Sequence, residues 1–153
     1  LLYSVSTNIL KGDFQMDISL QIKADDKADK YTLTSDNSSL NKVLDMISFN
    51  SSKQYESRSE VIVDTLSHGL SLLGKLARAG KAVTMEVSLN VLQIAPESYV
   101  INSVDGSLGR YLDILIKRTP GNKYDERNMV LVDAIGQGMA IIIEELTKAK
   151  TNC

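Results

Sequence analysis

Few side chains in this chain of 153 residues are of the kinds that make or break bonds. His68 is the only histidine and Cys153 the only cysteine, so the two types cannot form a metal-binding cluster. Ser67, His68 and Asp64 could in principle form a nucleophilic triad. Neighbours in sequence do not generally face one another, however, and no nucleophile-elbow motif surrounds them. We therefore expect no enzyme, no metal and no cofactor.

Two aspartates hold equivalent positions in similar segments, Asp64 in EVIVDTL and Asp133 in MVLVDAI. A pair of carboxylates could serve as general acid and general base. The structural alternative is that each aspartate lies near the N-terminus of a helix, where a negative charge is stabilising. We favour the structural interpretation.

The stretch VDAIGQGMAI, Val132 to Ile141, contains two glycines between a strand-like run and a helix-like run. Glycine-rich junctions of this kind can hold phosphates. A Walker A loop needs lysine before serine or threonine, and the dinucleotide fingerprint needs a third glycine, but both are missing. The prediction is instead that Gly138, like Gly69 earlier in the chain, lets a strand turn sharply into a helix packed on the sheet.

Basic and aromatic side chains recur in two parts of the chain and could bind a nucleic acid. Arginine and lysine hold phosphates, and tyrosine stacks on unpaired bases. The candidate phosphate-binding residues are Lys42, Arg58, Arg110, Lys117, Arg118, Lys123 and Arg127, and the candidate stacking residues are Tyr55 and Tyr124. The alternative is that each Tyr-[Asp/Glu]-x-Arg segment is a structural corner, in which the acid and the arginine pair and the tyrosine covers the edge of the core.

Charge and composition limit the possible partners. A net charge of −2 provides no general basic field for nucleic acid or anionic lipid, so binding would need a local basic patch. The single cysteine excludes a disulfide framework and favours a reducing compartment. Apolar stretches of about ten residues are too short to span a bilayer, and the first residues lack a signal peptide's basic region. We expect an intracellular protein, in cytoplasm, nucleus or organelle matrix, with no membrane partner.

The elements that must position these residues occur twice. MDISLQI, which begins at Met16, is echoed 69 residues later by MEVSLNV, which begins at Met85. SLNKVLDMI is echoed by SLGRYLDIL, YESR by YDER, and VIVDTLSHGL by VLVDAIGQGM, in the same order. Self-similarity at a fixed period indicates repeated structural units. The sequence therefore predicts two tandem units, residues 14–81 and 82–150.

Each unit is predicted to have the order β-β-α-β-α. Its first strand (residues 14–22 and 83–91) alternates apolar and polar residues, and its second strand lies in KYTLTSD or SYVINSV. SSLNKVLDMI and GSLGRYLDIL follow as helices; GSLGRYLDIL alone could be a strand, but the repeat favours a helix. EVIVDTL and MVLVDAI are the third strands, each followed by a helix. The fold class is α/β, an α+β two-layer sandwich, whose two units pack as an intramolecular pseudo-dimer.

The order β-α-β-α, with the pattern V-x-A-x-G-x-[AG]-[IM] at its second strand-to-helix junction, resembles the Alba family of nucleic-acid-binding proteins. It also resembles the Alba-type subunits of ribonuclease P and MRP. The carrying segments are VLVDAIGQGMAI and EVIVDTLSHGLSLLGKL, and the resemblance covers residues 30–80 and 98–149. It implies a non-catalytic protein that binds RNA or DNA through two paired domains, here both in one chain.

The likeness also implies which nucleic acid is bound. The family contacts nucleic acid through adjacent lysines between its first strand and first helix. The matching positions here are Asp36, Asn37, Val104 and Asp105. Because these lysines are missing, RNA is favoured over DNA. The alternative is a protein-interaction or scaffold subunit of a ribonucleoprotein or other assembly, which keeps the fold and has lost direct binding.

Overall fold

The computed structural model describes the backbone of residues 2–11, 14–35, 37–77 and 86–151, and the side chains within 18–35, 37–77 and 86–148. Asp36, Cys153, the start of the predicted strand at Val83 and the predicted boundary between residues 81 and 82 lie outside the described residues. The described chain is a mixed α+β fold of five strands and four α-helices.

The elements follow one another as strands and then helices in each half of the chain. The first half contains β1 (Leu2–Lys11), β2 (Phe14–Asp25), β3 (Lys30–Ser35), α1 (Ser39–Asn50) and α2 (Arg58–Leu76). The second half contains β4 (Asn90–Ala95), β5 (Ser98–Asn102), α3 (Ser107–Arg118), a 3₁₀ turn (Pro120–Asn122) and α4 (Arg127–Thr151).

All five strands form one antiparallel sheet in the order β1-β2-β3-β5-β4. The two halves of the chain meet at the β3–β5 pair, where Thr32 lies opposite Val100. Side chains alternate between a buried face and an exposed face, as expected for a sheet covered on one side. The buried face carries Ile18, Leu20, Ile22, Tyr31, Leu33, Val91, Tyr99 and Ile101. The helices pack on this face, and the apolar residues of both layers form one core.

The strand predictions are confirmed for β3 and β5, and the helix predictions for α1 and α3. The predicted strand at 83–91 is wrong in its bounds, because the described residues 86–89 have no regular structure and β4 begins at Asn90. The reason is hydrogen bonding. The matching part of β2 pairs with β1, whereas residues 86–89 have no neighbouring strand among the described residues.

The predicted third strands are wrong, because EVIVDTL and MVLVDAI lie inside α2 and α4. The β-branched residues of these segments favour strand locally. Their burial follows a helix instead: in α2 the buried positions are Val61, Ile62, Thr65, Leu66, Gly69, Leu70, Leu73 and Gly74, adjacent pairs that recur every four residues. That period places all of them on one face of a helix against the core. The order in each half is therefore β-β-α-α, apart from the additional β1.

A capping signature marks the start of α2. The hydroxyl of Ser57 accepts a hydrogen bond from the backbone N–H of Glu60 at 3.3 Å. The carboxylate of Glu60 reaches back and accepts one from the N–H of Glu56 at 2.8 Å. This is close to the Ser-x-x-Glu capping box, which satisfies free N–H groups at a helix start. The signature is visible in the sequence and predicts a helix where the β-branched run predicts a strand.

The two glycines expected at strand-to-helix junctions lie inside α2 and α4, at the point where these helices cross. A Cβ atom built on Gly69 would be 1.8 Å from the carbonyl oxygen of Ala134, and one built on Gly138 would be 1.9 Å from that of Thr65. Any side chain larger than hydrogen would separate the helices. The predicted sharp turn is thus replaced by a close helix–helix contact, with the small-x-x-x-small spacing that permits close approach of helix backbones.

The crossing yields a stability prediction. We expect Gly69→Ala and Gly138→Ala each to lower the free energy of unfolding by at least about 1–3 kcal/mol, the usual cost of forcing extra atoms into a packed site. Urea unfolding of the two variants measures this. Ser71→Ala is the control, because Ser71 is exposed on the same helix and should change stability little. A stability equal to that of the parent chain in both glycine variants would contradict the close crossing.

Candidate functional site

The recurrent tyrosines lie in two matching corners, one before each long helix. In the first corner the hydroxyl of Tyr55 donates to Asp64 at 2.6 Å, and Lys53 binds the same carboxylate at 3.3 Å. The ammonium of Lys53 also lies 5.3 Å from the centre of the Tyr55 ring. Burial works to raise the pKa of Asp64, but the hydrogen bonds from Tyr55 and Lys53 outweigh it and leave that pKa lowered.

The second corner repeats this arrangement. The hydroxyl of Tyr124 donates to Asp133, and Lys123 binds the same carboxylate at 3.2 Å while its ammonium lies 5.4 Å from the Tyr124 ring centre. Burial raises the pKa of Tyr124, and the bond to Asp133 raises it further. Tyr124 is 5% exposed. Its ring belongs to the core and offers no free face to a base, which supports the structural-corner interpretation.

The aspartates of these corners do not act at helix starts. Asp64 and Asp133 each lie nearly two turns inside α2 and α4, beyond the first turn in which a charge stabilises the helix end. Their role is to accept the tyrosine hydroxyl and the lysine ammonium. The sequence prediction placed both aspartates near the start of a helix because EVIVDTL and MVLVDAI were predicted as strands that precede the helices. These segments instead lie inside α2 and α4, near their beginnings.

The recurrent arginines are paired with aspartates on the preceding helices. Arg58 donates two hydrogen bonds to Asp45, both at 2.8 Å, and Arg127 donates two to Asp113, at 2.8 and 2.7 Å. Such bidentate pairs fix both side chains. The hydrogen bond from Arg58 holds the pKa of Asp45 below its usual value, and Arg127 does the same for Asp113. The partners differ from the predicted ones, which were the acids next to the tyrosines.

Each arginine also reaches a tyrosine of the other half of the chain, Arg58 to Tyr99 and Arg127 to Tyr31. Arg127 has the Asp26 segment as a further partner. Its guanidinium donates to the carbonyl of Asp26 at 3.2 Å and to the hydroxyl of Tyr31 at 3.0 Å. Tyr31 in turn donates to the buried carboxylate of Asp29 at 2.9 Å, and Asp29 accepts the backbone N–H of Gly109 at 3.0 Å. This chain of hydrogen bonds joins the β2–β3 turn to the starts of α3 and α4, and so links the two halves of the protein.

The other predicted phosphate-binding residues are exposed but dispersed. Lys42 lies in the first turn of α1 and Arg110 in the first turn of α3, while Lys117 and Arg118 end α3. The guanidinium of Arg110 donates to the carbonyl of Asp105 at 3.1 Å. Only Lys117, Arg118 and Lys123 are close to one another in the chain, in the α3–α4 connection.

Asp105 replaces one of the lysines that the Alba likeness implies, and it helps to start α3. Its carboxylate accepts hydrogen bonds from the hydroxyl and the N–H of Ser107, at 2.6 and 3.0 Å, and from the hydroxyl of Ser103 at 3.0 Å. The bonds from Ser107 lower the pKa of Asp105 to about 2. The position therefore carries a fixed negative charge, which repels a phosphate.

Of the three triad candidates, His68 lies 3.6 Å from the Asp64 carboxylate, whereas Ser67 does not bond to His68. The hydroxyl of Ser67 donates to the carbonyl of Val63 at 2.9 Å, and the Nδ1 atom of His68 lies 2.8 Å from the carbonyl oxygen of Asp64. Ser67 and His68 therefore bond to their own helix rather than to each other. Within the described residues, no three His, Cys, Asp or Glu side chains are grouped to hold a metal ion.

A groove of about 500 Å³ runs between α2 and the beginning of β4. One wall is formed by Val63, Asp64 and Ser67 of α2, and the other by Leu89, Asn90 and Val91. Sequence reasoning did not identify this groove. Leu92 and Ile94 of β4 do not line it; they alternate with buried Val91, lie on the opposite face of the strand, and are 62% and 55% exposed.

Comparisons with known proteins leave the family open. No family model matches the chain, and no curated protein and no solved structure matches it. The likeness to the Alba family therefore remains a prediction. The segments that carry it are helical where a strand was expected. Among the described residues, no helix is sufficiently long and apolar to cross a membrane.

The unequal contacts of the two arginines predict unequal effects on stability. We expect Arg127→Ala to lower the free energy of unfolding by about 2–3 kcal/mol, because it removes the bonds to buried Tyr31 and to the carbonyl of Asp26 together with the pair to Asp113. Arg58→Ala should cost less, because its pair with Asp45 is exposed and Arg58 has no described counterpart of the bond to the Asp26 carbonyl. Urea unfolding measures both, with Lys117→Ala as an exposed control. Equal losses in the two arginine variants would contradict the proposed link through Arg127.

The lowered pKa values of Asp45 and Asp113 predict an acid-dependent loss of stability. A carboxyl whose folded pKa is depressed contributes stability above its unfolded value, and that contribution is lost as the pH falls through the folded value. We expect the free energy of unfolding to decrease between about pH 4 and pH 2. Urea unfolding across this range should show a shallower decrease for the Asp45→Asn, Asp113→Asn double variant. An unchanged pH dependence in that variant would overturn the assignment.

Proposed function

We propose that this chain is a non-catalytic protein-binding subunit, formed by two duplicated units that pack as an intramolecular pseudo-dimer. One observation carries the proposal: the tyrosines and arginines that recur in both halves hold the fold together, whereas the edge of β4 has no neighbouring strand in the described part of the chain and β4 exposes Leu92 and Ile94. Exposed edges and apolar side chains are features that natural proteins restrict unless they bind a partner.

The duplication is supported by contacts that occur in equivalent pairs. Thr32 and Val100, which are 68 residues apart, lie opposite each other at the centre of the β3–β5 ladder, as expected for residues next to a two-fold axis. At the helix crossing, Gly69 faces Ala134 while Gly138 faces Thr65, a reciprocal pair at an offset of 69 residues. A self-complementary contact of this kind is characteristic of a two-fold interface.

Direct nucleic-acid binding through the recurrent residues has less support. Arg58 and Arg127 are already bound by carboxylates, and a phosphate would have to displace these intramolecular bonds. Tyr124 is in the core, and the hydroxyl of Tyr55 is held by Asp64. Among the described side chains of the sheet, the two tyrosines, Tyr31 and Tyr99, point to the core and offer no aromatic platform on the exposed face.

RNA binding remains a second candidate because of one local feature. Lys117, Arg118 and Lys123 are exposed in a segment of seven residues, and two of them end α3, where cations also complement the helix dipole. This is the one local concentration of the predicted cations. It would bind a phosphate backbone by charge and without base recognition.

Affinity purification of the full chain from cells that contain it, with nuclease and with salt that releases phosphate contacts, separates the two candidates. We expect a stoichiometric protein partner that survives this treatment and stays bound to a Lys117→Glu, Arg118→Glu variant. Retained RNA that this variant loses would favour the second candidate. Recovery of the free chain alone would contradict the proposed function.

A further inference from the structure

We propose that the outer edge of β4 and the groove beside it bind an extended segment of a partner protein as an added sheet strand. The segment has no acidic residue and carries apolar side chains at alternate positions. This inference rests on the proposed protein-binding function and adds the place of binding and the chemistry of the partner. Strand addition of this kind draws its affinity from main-chain hydrogen bonds and its specificity from pockets for alternate side chains.

Among the described residues, the two halves of the protein differ in the pairing of their outer strands, at the β4 edge. At an offset of 69 residues, Leu89 and Val91 correspond to Leu20 and Ile22 of β2. β2 lies between β3 and β1, whereas β4 has only β5 as a neighbour among the described residues. Helix α4 packs against β1, while its counterpart α2 packs against β4 and borders the open groove. The groove therefore lies where the described part of the second half has no strand equivalent to β1.

The backbone of β4 is prepared for such a strand. Ser35 donates to the carbonyl of Glu97, and Ser103 donates to that of Asp29, which establishes where β3 and β5 exchange hydrogen bonds. Bonded and non-bonded pairs alternate along an antiparallel ladder. It follows that Val100 and Asn102 bond towards β4, to the opposite residues Leu92 and Asn90.

The backbone N–H and C=O groups of the intervening residues of β4 consequently face away from β5. The N–H and C=O groups of Val91 and Gln93 face outward, where the described residues provide no neighbouring strand. Backbone groups in this position are a template for another chain. Gln93 is exposed, and its side chain folds back to donate to the carbonyl of Pro96 at 3.2 Å, leaving the edge accessible.

The lining of the groove defines the chemistry of the occupant. Val63, Leu89 and Val91 provide apolar contacts. The one cation of the lining, Lys53, is already bound by Asp64 at 3.3 Å, while Glu60 keeps its charge and accepts the N–H of Glu56 at 2.8 Å. An acidic segment would find no free counter-ion here, and burying it would be unfavourable. The strand in the equivalent position of the first half, LYSVSTNILK, has one charged residue in ten.

Titration of the full chain with a labelled peptide of sequence LYSVSTNILK tests the proposal. We expect saturable binding that changes little with salt and is absent for a scrambled peptide of the same composition. Hydrogen exchange gives an independent readout. The amides of Val91 and Gln93 should exchange fast in the free chain and slowly in the complex, whereas that of Leu92, bonded to β5, should be protected in both.

Two variants on different elements locate the site. Ser67→Arg fills one wall of the groove, and Gln93→Pro removes an outward N–H without removing a bond to β5. We expect each to weaken peptide binding at least tenfold. Ser71→Arg is the matched control, since Ser71 is also exposed on α2 but does not line the groove, and it should bind as the parent chain does. Thermal unfolding establishes that each variant is folded.

Several results would overturn the inference. Equal binding by Ser67→Arg and Ser71→Arg would do so, as would amide protection in β2 in place of β4. A dimer of the chain that Ser67→Arg disrupts would identify a second copy as the occupant in place of a partner segment. If a protein partner purified from cells stays bound to Ser67→Arg, the edge site fails while the proposed function stands; if no partner is purified with any version, the function fails.

Discussion

The contact between α2 and α4 determines how the rest of the protein is arranged. The helices cross where Gly69 meets Ala134 and Gly138 meets Thr65, with space for hydrogen atoms alone between the backbones. Because a Cβ atom at either glycine would overlap a carbonyl group of the other helix, the crossing point and the distance between the two helix backbones are determined within narrow limits. Helices packed at one point on a sheet also limit where the strands below them lie. The continuous ladder between β3 and β5 is compatible with this one distance.

The corners formed by tyrosine, lysine and aspartate stabilise this arrangement of helices through contacts at the edge of the core. Each ties the loop before a long helix to that helix, through a tyrosine hydroxyl on Asp64 or Asp133. The arginine of each corner then ties the long helix to the preceding one. Each arginine also reaches a tyrosine of the other half in the sheet, Arg58 to Tyr99 and Arg127 to Tyr31, so that both corners join the two halves. A set of residues typical of RNA binding thus serves stability, since each of these charges is paired with an opposite charge within the chain.

The difference between the halves is where function can arise. With equivalent cores and corners, the halves are distinguished by β1, which pairs with β2 in the first half and has no described counterpart beside β4. An unpaired edge leaves backbone donors and acceptors without protein partners, and those groups gain more from another strand than from water in a partly enclosed groove. The proposed protein-binding role is therefore based on this difference between the halves and not on the residues that recur in both.

Local patterns in the sequence were sufficient for β3, β5, α1 and α3, because apolar spacing and burial agree in these elements. They were insufficient for EVIVDTL and MVLVDAI, where β-branched residues favour strand and only packing against the other long helix makes the helical period decisive. The same holds for the site. The sequence by itself determined which tyrosines and arginines recur, but not whether they face a ligand or an aspartate. Only the tertiary structure decided this, because Arg58 and Asp45, or Arg127 and Tyr31, are distant in the chain and meet only when helices and sheet are packed.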